Sequence, residues 1–201
     1  MKRIALPLAA AAALVAGCAH PAYVSPVEVT RFVGEAPAFL AQGTIAVMPA
    51  PGIDADSLEY ATYADAVRTE LQQLGYRVVL ENPGQVAMVD YQSFLGEEAR
   101  RENPVGVGVG GSTGTYGSGV GVGVGINLNS LAGRPPESIS RQLFVAIQRP
   151  DGSGPNLWEG RADMIATTNS DFADDAPAAA RLADALFADF PGNSGETVTI
   201  D

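Results

Sequence analysis

Two apolar periods alternate along this chain, and their order lays out its elements. Thr44-Ile45-Ala46-Val47-Met48 is a short run closed by Pro49 and Pro51, which predicts a strand. Tyr60, Tyr63, Val67, Leu71 and Leu74 then recur at intervals of three and four, on one face of a helix. Arg68, Glu70, Gln72 and Gln73 fall mainly on its other faces. Asp56, with Glu59 three residues later, has capping-box spacing. Gly75 stands where a helix end takes a left-handed residue. Residues 76–80 read as the next strand, so strand, helix and strand predict a crossover with a parallel pair.

Residues 86–95 predict a further strand. Residues 142–148 are mostly apolar in both alternating sets, which predicts a central strand covered on both faces. A turn at residues 150–155 leads to its hairpin partner at 157–167. There Trp158, Ala162, Met164 and Ala166 share one face, and Glu159, Arg161 and Asp163 the other. The last helix runs from about Asp175 to Phe190, capped by Asp174 or Asp175, with Pro177 in its first turn. Its buried stripe is Ala179, Leu182, Leu186 and Phe190. Short strands are expected at residues 27–32 and 197–200. The fold class is α+β: a mixed, mainly antiparallel sheet packed by two helices.

The middle of the chain breaks this pattern. Val105-Gly106-Val107-Gly108-Val109-Gly110 is repeated word for word at residues 120–125, with turn formers between. Strict alternation gives each arm a valine face and a glycine face, so a long hairpin is expected. Three readings stay open: an extension of the sheet, a loop left loose by glycine's entropy, or a membrane-inserting strand pair that several copies would complete. Val105, Val107, Val109, Tyr116, Val120, Val122 and Val124 are its candidate interaction residues.

The N-terminus adds a location. Met1-Lys2-Arg3 is basic, and the apolar residues after it are too few to span a bilayer, which is the pattern of a secretory signal. Val15-Ala16-Gly17-Cys18 looks like a bacterial lipobox, so cleavage before Cys18 and acylation of its sulfur are expected. Each buried acyl CH₂ contributes about 0.8 kcal/mol, and two chains give stable anchoring. Cys18 is the only cysteine and has no disulfide partner within the chain. Ala19 follows it where an aspartate would be the inner-membrane retention signal, so bacterial lipoprotein sorting implies the outer membrane, facing the periplasm. The expected organisation is a signal peptide at 1–17, a lipidated N-terminus and tether with a first strand at 18–42, and one α+β domain at 43–201.

Charge and chemistry narrow the function. The whole sequence carries a net charge of −11, and its single lysine is Lys2, within the signal. Such an acidic surface repels nucleic acid. Gly106, Gly108 and Gly111 match a dinucleotide fingerprint, but no helix former follows to hold a pyrophosphate. Gly110-Gly111-Ser112-Thr113-Gly114 matches a nucleophile elbow, but the only histidine, His20, lies in the tether. Zinc, copper and iron lack their usual ligands. Asp171, Asp174 and Asp175 suit a helix cap better than calcium, and no cofactor is expected.

Leu71-Gln72-Gln73-Leu74-Gly75-Tyr76, Leu157-Trp158-Glu159-Gly160-Arg161-Ala162 and the closing Leu186-Phe187-Ala188-Asp189-Phe190-Pro191 also carry a family resemblance. With them the chain resembles the bacterial lipoproteins of domain-of-unknown-function family 4136, across roughly residues 44–191. The Trp-x-Gly-x-Ala element is the most specific part. Asp90 stands near where that family carries an acidic residue. The resemblance implies a compact α+β domain on an outer-membrane anchor and brings no catalytic residues. The expected role is a non-catalytic interaction or assembly module, not an enzyme. It would hold the membrane through Cys18 and meet an envelope protein through a sheet edge or the valine–glycine hairpin. The alternative is a membrane-active or channel-forming oligomer built from that hairpin. An enzyme working through carboxylates alone would need a facing pair.

Overall fold

The computed structural model describes residues 20–96, 105–108, 123–126 and 136–201. It forms two compact units: Ala22–Gly96 with Glu137–Asp201, and Met1–Pro21 with Glu97–Pro136. The strands are β1 (Val27–Val33), β2 (Thr44–Pro49), β3 (Arg77–Val78), β4 (Gln85–Gly96), β5 (Val105–Gly108), β6 (Gly123–Ile126), β7 (Ser138–Gln148), β8 (Trp158–Thr167) and β9 (Thr197–Ile200). The helices are α1 (Leu58–Gln73) and α2 (Asp175–Phe187).

The larger unit is one seven-stranded sheet in the order β3-β2-β4-β7-β8-β1-β9. β2 runs parallel to both β3 and β4, and every other pairing is antiparallel. The α+β class and the parallel pair therefore hold. β1 lies between β8 and β9, inside the sheet of the larger unit, which starts at Ala22. The strand expected at 76–80 shortens to two residues, and Leu80 is exposed.

Local sequence explains the helix ends, with one correction. The N-cap of α1 is Ser57, not Asp56: its Oγ accepts the Tyr60 N–H at 3.0 Å. Asp54 holds the turn before it, its carboxylate accepting the Asp56 N–H. At the other end Gly75 has φ +102°, Tyr76 N–H bonds the Leu71 carbonyl and Gly75 N–H bonds the Gln72 carbonyl, which is a Schellman closure. α2 stops at Phe187, short of Phe190.

Register assigns the faces. Tyr91, Leu143, Ala162, Val29 and Val198 are neighbours across five strands, and this face carries the core with α1 and α2. On the opposite face Phe144 lies between Asp90 and Arg161, half-buried, while Met48, Phe32 and Ile165 are exposed. β7 is central in the sheet, but among the described residues helices cover only one of its faces, where its composition predicts cover on both. Among the described residues both helices pack on one side, and Ala146 on the other face is also buried.

Two buried arginines on the core face hold α2 at its ends. Arg31 Nε donates to the Leu186 carbonyl and Nη2 to the Ala185 carbonyl, both at 2.9 Å. These are last-turn carbonyls with no partner within the helix. Burial draws the Arg31 pKa down, and Asp189 and Glu196 oppose that. Arg141 donates to the Asp175 carboxylate, the Ala173 carbonyl and the Tyr63 hydroxyl. Burial works against its charge, but its bonds to Asp175 and Tyr63 outweigh this and raise its pKa.

Candidate functional site

The candidate site follows from a mismatch in strand length. β2 has 6 residues and β4 has 12. Pro49 and Pro51 end β2, and Gly52, at φ +96°, turns the chain toward α1. β2 therefore pairs only with Gln85 to Val89 of β4, and Ala50 N–H closes the contact on the Val89 carbonyl. From Tyr91 to Gly96, β4 pairs with β7 on one side. Its other side has no strand partner among the described residues.

This free edge is anchored at one end and open at the other. Tyr91 stacks on Tyr63 with ring centroids 4.6 Å apart and planes at 8°, and its hydroxyl lies 3.4 Å from Ser57 Oγ. Gln92, Ser93, Phe94 and Leu95 are all exposed. No charge or proline interrupts Tyr91–Gly96, although these are the usual means by which an edge strand resists pairing. The outermost strands of the sheet differ. β3 is two residues long, and β9 is four and is followed by Asp201. The edge open to a partner strand thus belongs to an interior strand that outruns its neighbour.

Two clefts also lie on the described surface. One, of about 490 Å³, lies at the opposite end of the sheet, lined by Phe39, Gln85, Arg149, Asp151 and Leu157 among others. Its buried amide is fully engaged: Gln85 Nε2 donates to the Phe39 and Gln42 carbonyls, and Oε1 accepts from the Tyr76 hydroxyl. The other, of about 270 Å³, lies on the open sheet face between Phe32, Phe144, Glu159 and Arg161.

The residues singled out from sequence divide sharply. Cys18, Val109, Tyr116, Val120 and Val122 lie outside the described residues, as do the lipobox and both glycine motifs beyond residue 108. Val105, Val107 and Val124 lie in β5 and β6, which pair antiparallel with Val105 opposite Ile126 and Val107 opposite Val124. Among the described residues these two strands form a two-stranded sheet. Asp175 serves Arg141, and no cluster of three or more His, Cys, Asp or Glu fit for a metal occurs among the described residues. Trp158 is fully buried, stacked on Phe187, with Nε1 donating to the Pro191 carbonyl at 3.0 Å. The free β4 edge was only generically foreseeable as a sheet edge. Its local signal was the proline pair that cuts β2 short.

No protein-family model matches this chain, and no curated protein does. Among solved structures it is similar to a PDZ domain protein from Parabacteroides distasonis, at 16% identity and a TM-score of 0.52. That match covers 89% of this chain and 38% of the other, so the chain spans well under half the length of that protein. A PelC dodecamer from Paraburkholderia phytofirmans matches at 12% identity and a TM-score of 0.42, over 84% of this chain and 99% of that one. The first likeness establishes the arrangement of helices and sheet alone.

Proposed function

We propose that this protein is a lipid-anchored interaction module of the bacterial cell envelope, which binds a partner by adding that partner's strand to the free edge of β4. The observation that carries this reading is the outer side of Tyr91–Gly96, uncharged and without a strand partner among the described residues. Main-chain hydrogen bonds along such an edge supply affinity, and the alternating side chains supply selectivity. Phe94 would meet the incoming strand on the open face and Leu95 on the core face. The anchor at Cys18, the outer-membrane location and the kinship with family 4136 lipoproteins belong to the same reading. They are supported by the lipobox and by the Trp158-Glu159-Gly160-Arg161-Ala162 element.

A non-catalytic role agrees with how the buried polar groups are used. Arg31, Arg141 and Gln85 all bond helix ends or loop carbonyls within the fold. The test is photo-crosslinking in cells from probes at Gln92 and Ser93, with a probe at Thr199 on β9 as control. A discrete adduct to one envelope protein from the β4 positions alone is expected. Self-adducts would instead indicate an oligomer. A folded, membrane-located protein that gives no adduct from either β4 position would overturn strand addition.

A further inference from the structure

The chain enters the sheet and leaves it through the same end. Val24 bridges Ala166, the Tyr23 carbonyl accepts the Thr167 N–H at 2.9 Å, and Thr167 Oγ1 accepts the Tyr23 N–H at 2.9 Å. Thr167 is the register partner of Ser138, and Ser138 of Gly96. Tyr23, Thr167, Ser138 and Gly96 therefore stand in one row, about 14 Å wide at normal strand spacing. The incoming N-terminal segment and both junctions with the valine–glycine stretch share that row.

Four of the nine exposed large apolar side chains among the described residues lie at this end. Tyr23 is in the row, Leu95 is one residue back, and Phe94 and Ile165 are two residues back. They are 57%, 61%, 59% and 44% exposed. The incoming segment is pinned further by Arg181, which donates to the Ser25 carbonyl and lies 5.0 Å from the Phe172 ring centroid.

We propose that this end of the domain meets the lipid bilayer, with Tyr23, Phe94, Leu95 and Ile165 against the headgroup layer. The proposal rests on acylation of Cys18. Tyr23 follows Cys18 by five residues, and an extended chain spans at most about 3.5 Å per residue, so Tyr23 lies within about 17 Å of the anchored sulfur. The headgroup layer is itself about 6 Å deep. Tyrosine, with an apolar ring and a polar tip, suits that depth. β7 then carries the opposite end of the sheet, with the turn at residues 149–157, about 33 Å further from the row. A tether this much shorter than the sheet brings one end to the membrane and keeps the other away. The free edge of β4 is thereby presented at the membrane surface.

The lipidated protein in phosphatidylcholine vesicles carrying a headgroup-attached quencher tests this. Cys18 is the only cysteine, so Thr168→Cys and Ser153→Cys each give one thiol for a fluorophore, at exposed positions on opposite ends. The Thr168→Cys label is expected to lose most of its emission and the Ser153→Cys label to keep it. Tyr23→Ser with Ile165→Ser is expected to weaken the near-end quenching. Unchanged quenching in that pair would overturn the side-chain contact, and equal quenching at both labels would overturn the orientation. Mass spectrometry of the same sample reads the acyl group. An unmodified Cys18 removes the anchor and the orientation with it, whereas acylated protein with equal quenching removes the orientation alone.

Discussion

Trp158 and Gly160 occupy one space: a Cβ on Gly160 would come within 2.3 Å of the indole Cη2 and 2.8 Å of Leu186 Cδ1. Both residues point to the core face of β8, two positions apart, so only a glycine leaves room for the ring beside α2. Gly160→Ala is expected to destabilise the protein by about 1–3 kcal/mol through overpacking. Urea unfolding followed by the fluorescence of Trp158, the sole tryptophan, measures this directly. Wild-type stability in the variant would show that the indole can move aside.

Arg31 ties β1 to the end of α2. Arg31→Met keeps the bulk of the stem but leaves the Ala185 and Leu186 carbonyls without their donor. A loss of about 3 kcal/mol is expected from two buried acceptors left unsatisfied. Hydrogen exchange should show the last turn of α2 opening first. A uniform rise in exchange across the molecule would argue against a local clamp.

The cap assignment of α1 separates two adjacent residues. Ser57→Ala removes the bond to the Tyr60 N–H and is expected to cost about 1 kcal/mol. Asp56→Ala, whose side chain caps nothing, should stay within about 0.5 kcal/mol of wild type. Thermal melts of the two variants decide it, and the reverse ranking would restore Asp56 as the cap.

Glu70 gives a pH dependence with a definite sign. Burial, and then Asp184 across the helix pair, raise its pKa above the ordinary value of 4.5, against a smaller opposing effect from Gln73. The folded state thus holds this proton to higher pH than the unfolded state. Stability falls as pH rises through the window above 4.5, and the penalty is absent below it. Glu70→Gln is expected to stabilise the protein at pH 7 by less than about 1 kcal/mol, as suits a partly exposed group. That gain should vanish at acid pH. A gain that is the same at pH 4 and pH 7 would place its origin elsewhere.

Much of the scaffold was legible because local forces set it. The stripe of Tyr60, Tyr63, Val67 and Leu71 is buried as its period requires, and Gly75 closes α1 as expected. The alternation in β8 separated Trp158, Ala162 and Met164 from Glu159 and Arg161. Asp56 misled because the capping-box spacing fits it as well as the preceding turn does. The choice fell to Ser57, whose Oγ is the one in reach of the Tyr60 N–H, while the Asp54 carboxylate takes the Asp56 N–H.

By itself the sequence determined the elements, their order and the α+β class, since period, turn residues and helix stops act over a few positions. It also carried the lipobox-like run at residues 15–18 and the valine–glycine repeat, which are linear patterns. Only the tertiary structure decided which strands are neighbours, because pairing depends on residues far apart in the chain. That placed β1 inside the sheet, left β4 longer than β2 with a free edge, and set Arg31 and Arg141 at the two ends of α2. It also brought Tyr23 into one row with Gly96 and Ser138 through Thr167, which no local pattern encodes, because Tyr23 and Thr167 are 144 positions apart.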